Sequence, residues 1–237
     1  MKLFIDKNVR MHYPDLRIGI VIASNVNNSD YSEELEVYMR KQFLAFAEKY
    51  RELDEFLSHK NIKCWQEIYR SFGVNPKRRK PTAESLLTRT VRNRFIPHIN
   101  PVVDSYLVAE TLCCLPIGGY DLDKISGDIS LRIADGGECF WGIGSSTEEK
   151  ISKGEIIYSD NVRILTRRWN YQDAEYTKIE ENLTKRVALF TEAPYKDITS
   201  HEVSETIQEI AGNLKRFCGA EVNCFILEKS QNEVLLY

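Results

Sequence analysis

Several classes of protein are excluded by what this sequence lacks. No apolar run approaches the roughly 20 residues that a membrane-spanning helix requires. The first 15 residues, MKLFIDKNVRMHYPD, include charges where a signal peptide needs an apolar stretch. Disorder is not expected either, because 11% of residues are aromatic and the acidic and basic totals nearly balance. We therefore expect a soluble, cytoplasmic protein whose 237 residues are ample for a hydrophobic core.

Signatures of metal, redox and nucleotide sites are missing as well. The six cysteines show no C-x-x-C spacing, and adjacent Cys113 and Cys114 are poorly placed to bond each other. The four histidines have no pairwise metal-ligand spacing, and none stands beside an obvious Ser or Cys nucleophile. No G-x-x-x-x-G-K-[ST] loop is present. We expect free thiols in a reducing compartment, no metal and no cofactor.

The charge is distributed unevenly along the chain. Between Lys60 and His98 there are ten Lys and Arg against two Glu, a net charge of +8. Because the whole chain carries −3, the remainder carries −11. A basic block on an otherwise acidic protein indicates a surface that faces a polyanion. The alternative is a solvated helix face whose charges pair with acidic neighbours after folding.

The first hundred residues are predicted to be mainly helical. An apolar strand over 16–24 precedes a helical spacing of apolar residues from Leu35 to Leu57. Asp30 and Glu33 have capping-box spacing before that helix. Three further helices are predicted: 62–72, which ends at Gly73, then 81–92, which starts at Pro81, and one that starts at Pro101 with Asn100 as its cap.

From about Pro116 the pattern changes to short alternating runs separated by turn residues, which predicts strands. Helical patterns return at 187–190 and 199–217, and a last strand covers 222–227. The expected fold class is α+β, with one mixed or antiparallel sheet and packed helices. Since no repeat or linker divides the chain, we expect a single domain over 1–237, with the strand and helix of 1–60 packed on the rest.

The adjacent glycines Gly118 and Gly119 suggest a site where backbone approaches a ligand closely, since neither has a side chain in the way. Their amides would then be free to stabilise an oxyanion. The alternative is a tight turn, with Asp121 and Asp123 as turn caps.

Seven segments, in order and spacing, resemble the B3/B4 domain of the phenylalanyl-tRNA synthetase β subunit, and more closely its free-standing relatives. They are YRSFGVNP, KPTAESLLTR, NPVVDSYL, LPIGGYDLD, SLRIADGGECF, KGEIIYSD and TRRWN, which together span 69–170 and extend less clearly to about 193. The resemblance implies an α+β fold and contact with tRNA. In the synthetase this module hydrolyses the ester of tRNA mischarged with tyrosine.

The resemblance also implies site residues. Asp104, Tyr120, Asp121 and Arg132 fit the shared pattern and are candidate substrate contacts, although Asp121 and Arg132 are alternatively a structural ion pair. By this resemblance the synthetase has a pocket histidine where this chain has Gly118, and an asparagine where it has Leu107, which is a further candidate substrate contact. An acidic residue late in the module binds the tyrosine hydroxyl there, and the candidates for it here are Glu175 and Glu180. The candidate RNA contacts are Lys77, Arg78, Arg79, Lys80, Arg89, Arg92 and Arg94.

We therefore hypothesise a tRNA-interacting protein that hydrolyses misacylated aminoacyl-tRNA in trans. A positioned water would attack the activated ester, with Gly118 and Gly119 as the catalytic backbone. Two alternatives stay open: a non-catalytic RNA or amino-acid binding module, and an enzyme for a small non-RNA substrate whose basic block serves solubility. No DNA or membrane partner is expected. The amino acid, the tRNA and the oligomeric state do not follow from the sequence.

Overall fold

The computed structural model describes residues 1–29 and 32–236. Within them the α-helices are α1 (Lys7–His12), α2 (Glu33–Lys49), α3 (Leu53–Leu57), α4 (Lys60–Ser71), α5 (Thr82–Asn93), α6 (Pro101–Cys113) and α7 (Ser200–Cys218). The strands are β1 (Lys2–Ile5), β2 (Arg17–Ser24), β3 (Ile117–Asp121), β4 (Ile129–Ile133), β5 (Cys139–Phe140), β6 (Glu149–Lys150), β7 (Ile156–Ser159), β8 (Ile164–Arg167), β9 (Gln172–Asp173), β10 (Val187–Ala193), β11 (Glu221–Leu227) and β12 (Glu233–Leu235). Short 3-10 helices occur at Leu122–Lys124 and Glu175–Thr177.

The strands form two main sheets, which corrects the expectation of a single one. The first has the order β12-β1-β4-β7-β8-β9, and the second has the order β11-β2-β10-β3. The pair β1–β4 is parallel, whereas the pairs within the second sheet are antiparallel. Helices pack with both sheets, so the α+β class and the mixed and antiparallel pairing are confirmed.

Strand β2 shows why the two sheets fold together. Its residues Ile18 and Ile20 face a core shared with the first sheet, while Val21 and Ala23 face the helices α2, α6 and α7. Because both faces of β2 are buried, its sequence is a continuous apolar run rather than an alternating one. Residues before 64 thus supply β1 and β2, which lie inside their sheets and not at the edges.

Helix α2 begins later and ends earlier than its sequence pattern indicates. Ser32 is its N-cap and accepts a hydrogen bond from the Leu35 amide, while Asp30 lies outside the described residues. The helix stops at Lys49, and the rest of the apolar stripe forms the separate helix α3. A capping box between Glu52 and Glu55 starts α3, because it satisfies backbone amides that a continuous helix would have bonded internally.

The helices predicted from capping signals begin close to their expected positions. Asn100 accepts a hydrogen bond from the Val103 amide at the start of α6, with Pro101 in its first turn. Gly73 follows α4 with φ +81°, a left-handed conformation that glycine adopts without strain. Pro81 is the N-cap of α5 rather than its first helical residue.

The helix predicted at 187–190 is wrong. Val187–Ala193 is the strand β10, which pairs with both β2 and β3 and is buried along its whole length. A central strand that is covered on both faces loses the alternation that distinguishes a strand from a helix in sequence. Among the described residues, no helix is both long and apolar enough to cross a membrane.

Candidate functional site

A cavity of about 180 Å³ lies between α6, β3 and the segment that links β8 to β9. It is smaller than the roughly 300 Å³ at which sites for drug-sized ligands begin, so it suits a small ligand or one end of a larger one. Its lining includes Arg89, Leu107, Glu110, Gly118, Tyr120, Tyr158, Thr166, Trp169, Asn170, Tyr171, Asp173 and Glu192.

Three carboxylates line this cavity. Glu110 and Glu192 are buried, and Asp173 is partly exposed. Burial raises the pKa of Asp173 to about 6 and that of Glu192 to about 8, and it raises the pKa of Glu110 well above its usual value. The Asp173 charge further raises the pKa of Glu192. Because the raised pKa values favour the protonated forms of Glu110 and Glu192, Asp173 is the member of this group that is mostly ionised at neutral pH.

Asp173 is held in place by neighbours on two strands. Its carboxylate accepts hydrogen bonds from the Thr166 hydroxyl on β8 and from the Gly119 amide on β3. Thr166 Oγ1 lies 2.6 Å from the Tyr120 hydroxyl, which extends the network across the cavity wall. Each member of the network is therefore fixed by at least one other, as a positioned acid–base group requires.

The two glycines expected at a ligand site lie within β3 and not in a turn. Gly118 lines the cavity, and a Cβ atom there would lie 3.4 Å from Asp173 Oδ2. Gly119 does not line the cavity, and its amide donates to Asp173. Because amides of successive strand residues point to opposite edges, the Gly118 amide faces β10. Both glycine amides are thus directed at protein groups and not into the cavity.

Unpaired buried polar atoms point to a ligand in this cavity. Within the described part of the chain, Trp169 Nε1 has no hydrogen-bond partner. Asn170 Nδ2 and the carboxyl oxygens of Glu110 form no hydrogen bond of good geometry, although Asn170 approaches Glu192 and the Ile117 amide approaches Glu110. The Asn170 amide is oriented by Tyr69, whose hydroxyl donates to Asn170 Oδ1 over 2.8 Å. Because buried polar groups are nearly always paired, these residues of the cavity lining retain capacity to bind a polar molecule.

Some of the other substrate contacts predicted from the sequence line the cavity, and some do not. Leu107 and Tyr120 line the cavity together with Gly118. Asp104 is buried at the start of α6, where it contacts His98 and accepts from the Ile99 amide over 2.8 Å. None of the oxygens of Asp104 reaches the cavity lining, so its local role is to fix the segment that enters α6.

Asp121 and Arg132 do not form the ion pair considered from the sequence. Asp121 accepts from the Thr184 hydroxyl over 2.7 Å, and its other oxygen accepts from the Asp123 amide. Arg132 pairs with Glu138 over 3.1 Å and lies in a separate surface groove. Neither Asp121 nor Arg132 lines the cavity.

The late acidic candidates also lie elsewhere. Glu175 is bound to the Gly144 amide and to Lys178, and Glu180 pairs with Lys124. The late acids that reach the cavity are Asp173 and Glu192, which sequence reasoning missed. The available signal was an acidic residue inside an apolar run, as with Glu192 in VALFTEA.

Only some of the predicted basic residues lie near this site. Lys77, Arg78 and Arg79 are exposed in the loop between α4 and α5, and the Arg79 guanidinium lies 5.6 Å from the ring centre of Tyr171, a cavity residue. Lys80 instead bonds Thr88 and Glu84 at the start of α5. On α5 itself Arg89 lines the cavity, whereas the exposed Arg92 and Arg94 do not.

These features define an α+β domain with a small acidic cavity and a basic loop beside it. A family model described as the B3/4 domain matches residues 64–218. The chain therefore belongs to the B3/4 domain family, and the resemblance found in seven sequence segments is confirmed. The matched region begins in α4 and ends with α7, so it includes the whole cavity lining.

One solved structure similar to this chain is an N-terminal fragment of the phenylalanyl-tRNA synthetase β subunit from Pyrococcus horikoshii. The similarity has a TM-score of 0.49 at 14% sequence identity and covers 93% of this chain. The chain spans about half of that fragment, 49% of its length. Comparison with curated proteins gives no significant match. Among the described residues, no three His, Cys, Asp or Glu side chains are grouped so as to hold a metal ion.

Proposed function

We propose that this B3/4 domain hydrolyses the ester of misacylated tRNA in trans, with the aminoacyl group bound in the acidic cavity. The observation that supports this most directly is the set of unpaired polar atoms around a space of about 180 Å³. An aminoacyl ester offers a cationic ammonium group and a carbonyl oxygen. The ammonium can donate to the carboxyl oxygens of Glu110, and the carbonyl matches the donors Trp169 Nε1 and Asn170 Nδ2.

In this proposal Asp173 is the general base. A pKa of about 6 leaves its carboxylate mostly ionised at neutral pH yet still basic enough to accept a proton. A water beside Asp173 attacks the ester carbonyl carbon and transfers one proton to the carboxylate. The bond between the carbonyl carbon and the ribose oxygen then breaks, and that oxygen takes the proton. The products are a free amino acid and a tRNA with a free terminal hydroxyl.

The donors for the oxyanion differ from those expected from the sequence. Since the Gly119 amide already donates to Asp173, we assign the oxyanion to Trp169 Nε1 and Asn170 Nδ2. Gly118 then has a steric role, because its missing side chain leaves room between β3 and the Asp173 carboxylate. Removal of one such donor typically lowers a rate about 100- to 1000-fold.

The direct test is deacylation of a panel of misacylated tRNAs by the purified protein and by an Asp173→Asn variant. We expect release of the amino acid from at least one member of the panel, with a rate at least about 100-fold lower in the variant. Binding of uncharged tRNA should be equal in both, which shows that the variant is folded. No deacylation of any member would reject the hydrolase proposal, and equal rates would remove Asp173 from it.

A second candidate function is a binding module that holds RNA or an amino acid without catalysis. It is favoured by Gly118 and Leu107, which stand where the synthetase module has side chains of its editing pocket. Specific binding of an aminoacylated tRNA with no loss of its ester would support this function instead. In either case we propose that residues 1–237 act as one domain in the cytoplasm.

A further inference from the structure

A second concave site lies directly beside the cavity. It is a groove of about 680 Å³ between the loop that follows α4 and the turn that follows β8. We call it the arginine groove, and its lining is Phe72, Gly73, Val74, Asn75, Arg78, Arg79, Ser152, Lys153, Glu155 and Arg168. Only Arg78 and Arg79 of this lining were expected to contact RNA, so Lys153 and Arg168 come from parts of the sequence outside the basic block.

The charge of the groove is not neutralised by its own acid. Four cationic side chains line it together with one carboxylate, Glu155. That carboxylate is bound to the buried Arg167 over 3.0 Å and lies farther, at 3.6 Å, from Arg168. The lining therefore has a net positive charge after its internal pairing, which makes it an attractive site for phosphate groups.

The groove is pre-formed on the side of the basic loop. The Asn75 side chain accepts from the Lys77 amide over 2.9 Å, and the Asn75 carbonyl accepts from the amides of Arg78 and Arg79. These bonds hold the two arginines on one tight turn. Because little backbone ordering remains to be done, binding there costs less conformational entropy than binding to a loose basic segment.

The opposite side of the groove is held by an unusual backbone. Arg168 and Trp169 both have positive φ, +48° and +67°, which is rare for residues with side chains. This turn directs Arg168 into the groove and the next residue, Trp169, into the cavity. Strained residues of this kind persist where the surrounding structure fixes them, and they concentrate at ligand sites.

Tyr171 lies at the boundary between the two sites. It lines the cavity, and the guanidinium groups of Arg79 and Arg168 lie 5.6 and 5.2 Å from its ring centre. Arg79 also donates to the Tyr171 hydroxyl over 3.2 Å. Tyr171 therefore connects the cavity lining with two arginines of the groove.

We propose that the arginine groove binds the backbone phosphates of a single-stranded RNA 3′ end, with Arg79 and Arg168 as the principal contacts. The direction in which the RNA strand would run rests on the proposed function. The terminal nucleotide would lie at Tyr171, and the preceding phosphates would lie in the groove. This assignment adds Arg168 and Lys153 to the RNA-binding surface and separates phosphate recognition from the recognition of the amino acid.

The test uses an unacylated RNA trinucleotide with a 5′ phosphate, so it does not depend on the cavity or on hydrolysis. We expect binding that weakens with added salt and that falls at least about tenfold in an Arg79→Gln, Arg168→Gln double variant. The matched control is Arg40→Gln, an exposed arginine on α2 that lines neither the cavity nor the groove, and it should bind nearly as the wild type does.

Two further measurements make the result decisive. The melting temperature of each variant shows whether it is folded, and Arg79→Gln alone, which should still weaken binding measurably, is the test if the double variant does not fold. No binding of the trinucleotide by the wild type, or undiminished binding by the folded double variant, would overturn the assignment. Trinucleotide binding without deacylation of any tRNA would reject the hydrolase proposal and leave the groove assignment standing.

Discussion

A Cβ atom at Gly118 would lie 3.4 Å from Oδ2 of Asp173, so the absence of a side chain at 118 leaves the carboxylate next to the bare backbone of β3. The neighbouring Gly119 is different, because a Cβ there would lie 2.4 Å from Leu189 Cδ2 and 2.5 Å from the Ala188 carbonyl oxygen. The first glycine provides space in the cavity, and the second allows β3 to pair closely with β10.

This difference predicts opposite outcomes for two adjacent alanine substitutions. Gly118→Ala should fold normally, since the new contact is of ordinary length and the backbone needs no left-handed conformation. Gly119→Ala should lose stability by about 1–3 kcal/mol, because a backbone atom blocks the new methyl group. Thermal and denaturant unfolding of both variants measure this. Equal stabilities would contradict the assigned roles.

Larger side chains at 118 test the cavity as an aminoacyl site. We expect Gly118→Val to fill the space beside Asp173 and abolish deacylation while tRNA affinity stays nearly intact, because the phosphates bind elsewhere. Gly118→His should shift preference towards smaller or hydroxyl-bearing amino acids. Deacylation rates and tRNA binding are measured on the same preparations. A folded Gly118→Val protein with undiminished deacylation would show that the substrate lies elsewhere.

The raised pKa of Asp173 predicts the pH dependence of the reaction. A general base works only when deprotonated, so the deacylation rate should rise with pH up to about 6 and then level off. Spontaneous ester hydrolysis, measured without protein, is subtracted at each pH. An Asp173→Asn variant should show no inflection near pH 6. Persistence of the same inflection in that variant would assign it to another group.

The raised pKa of Glu192 predicts how the free energy of unfolding depends on pH. Burial raises its pKa to about 8 in the folded state, whereas in the unfolded chain it should titrate near its usual value of about 4.3. The folded protein therefore retains a proton that the unfolded chain releases, and stability should fall as pH rises from about 4 to 8. For one group the slope is at most about 1.4 kcal/mol per pH unit.

Glu192→Gln is the matched variant for that experiment, because its amide oxygen can still accept from the Tyr158 hydroxyl, which donates to Glu192 over 2.7 Å. The variant should be more stable than the wild type at pH 8. Its free energy of unfolding should also depend less steeply on pH. Denaturant unfolding at several pH values provides the measurement. A slope identical to that of the wild type would mean that Glu192 does not titrate in this range.

The basic loop predicts a salt-dependent affinity for tRNA. If about four phosphates are neutralised, the log–log slope of affinity against salt should be about −3 to −4. A combined Lys77, Arg78, Arg79, Lys80→Ala variant should flatten the slope and weaken binding to all tRNAs alike. Lys80→Ala alone should have little effect, because this lysine is bound to Glu84 and Thr88. An unchanged slope in the combined variant would move the footprint to the residues that follow β7, such as Arg163 and Arg168, since the neighbouring Arg167 and Trp169 are buried.

Because β1 and β2 lie inside their sheets, we expect that the family-matched region does not fold without them. Deletion of residues 1–24 removes β1 and β2, each of which lies between two other strands. The shortened chain would expose the edges of β4, β10, β11 and β12 together with the apolar residues that pack on β2. We expect insoluble or unfolded protein. A soluble, cooperatively unfolding fragment would instead place a domain boundary near residue 24.

Local signals in the sequence were sufficient for many of the helix ends. At the start of α6, the Asn100 side chain accepts from a backbone amide and Pro101 pre-sets the first turn, so the start of this helix depends on a few adjacent residues. The family could also be recognised, because the order and spacing of seven segments are properties of the sequence itself. The basic block was visible for the same reason, since charge is additive along the chain.

Only the tertiary structure decided the site. Glu110, Asp173 and Glu192 come from α6, β9 and β10, and a carboxylate acquires a raised pKa only when the surrounding elements exclude water. The strand β10 was mistaken for a helix because burial on both faces, itself a tertiary property, removed its alternation. The division of the strands into two sheets, and the meeting of Arg79 with Arg168 at Tyr171, likewise depend on contacts between residues far apart in sequence. The sequence determined the local elements, the family and the excess of positive charge, whereas long-range packing decided which of its acids and arginines share a site.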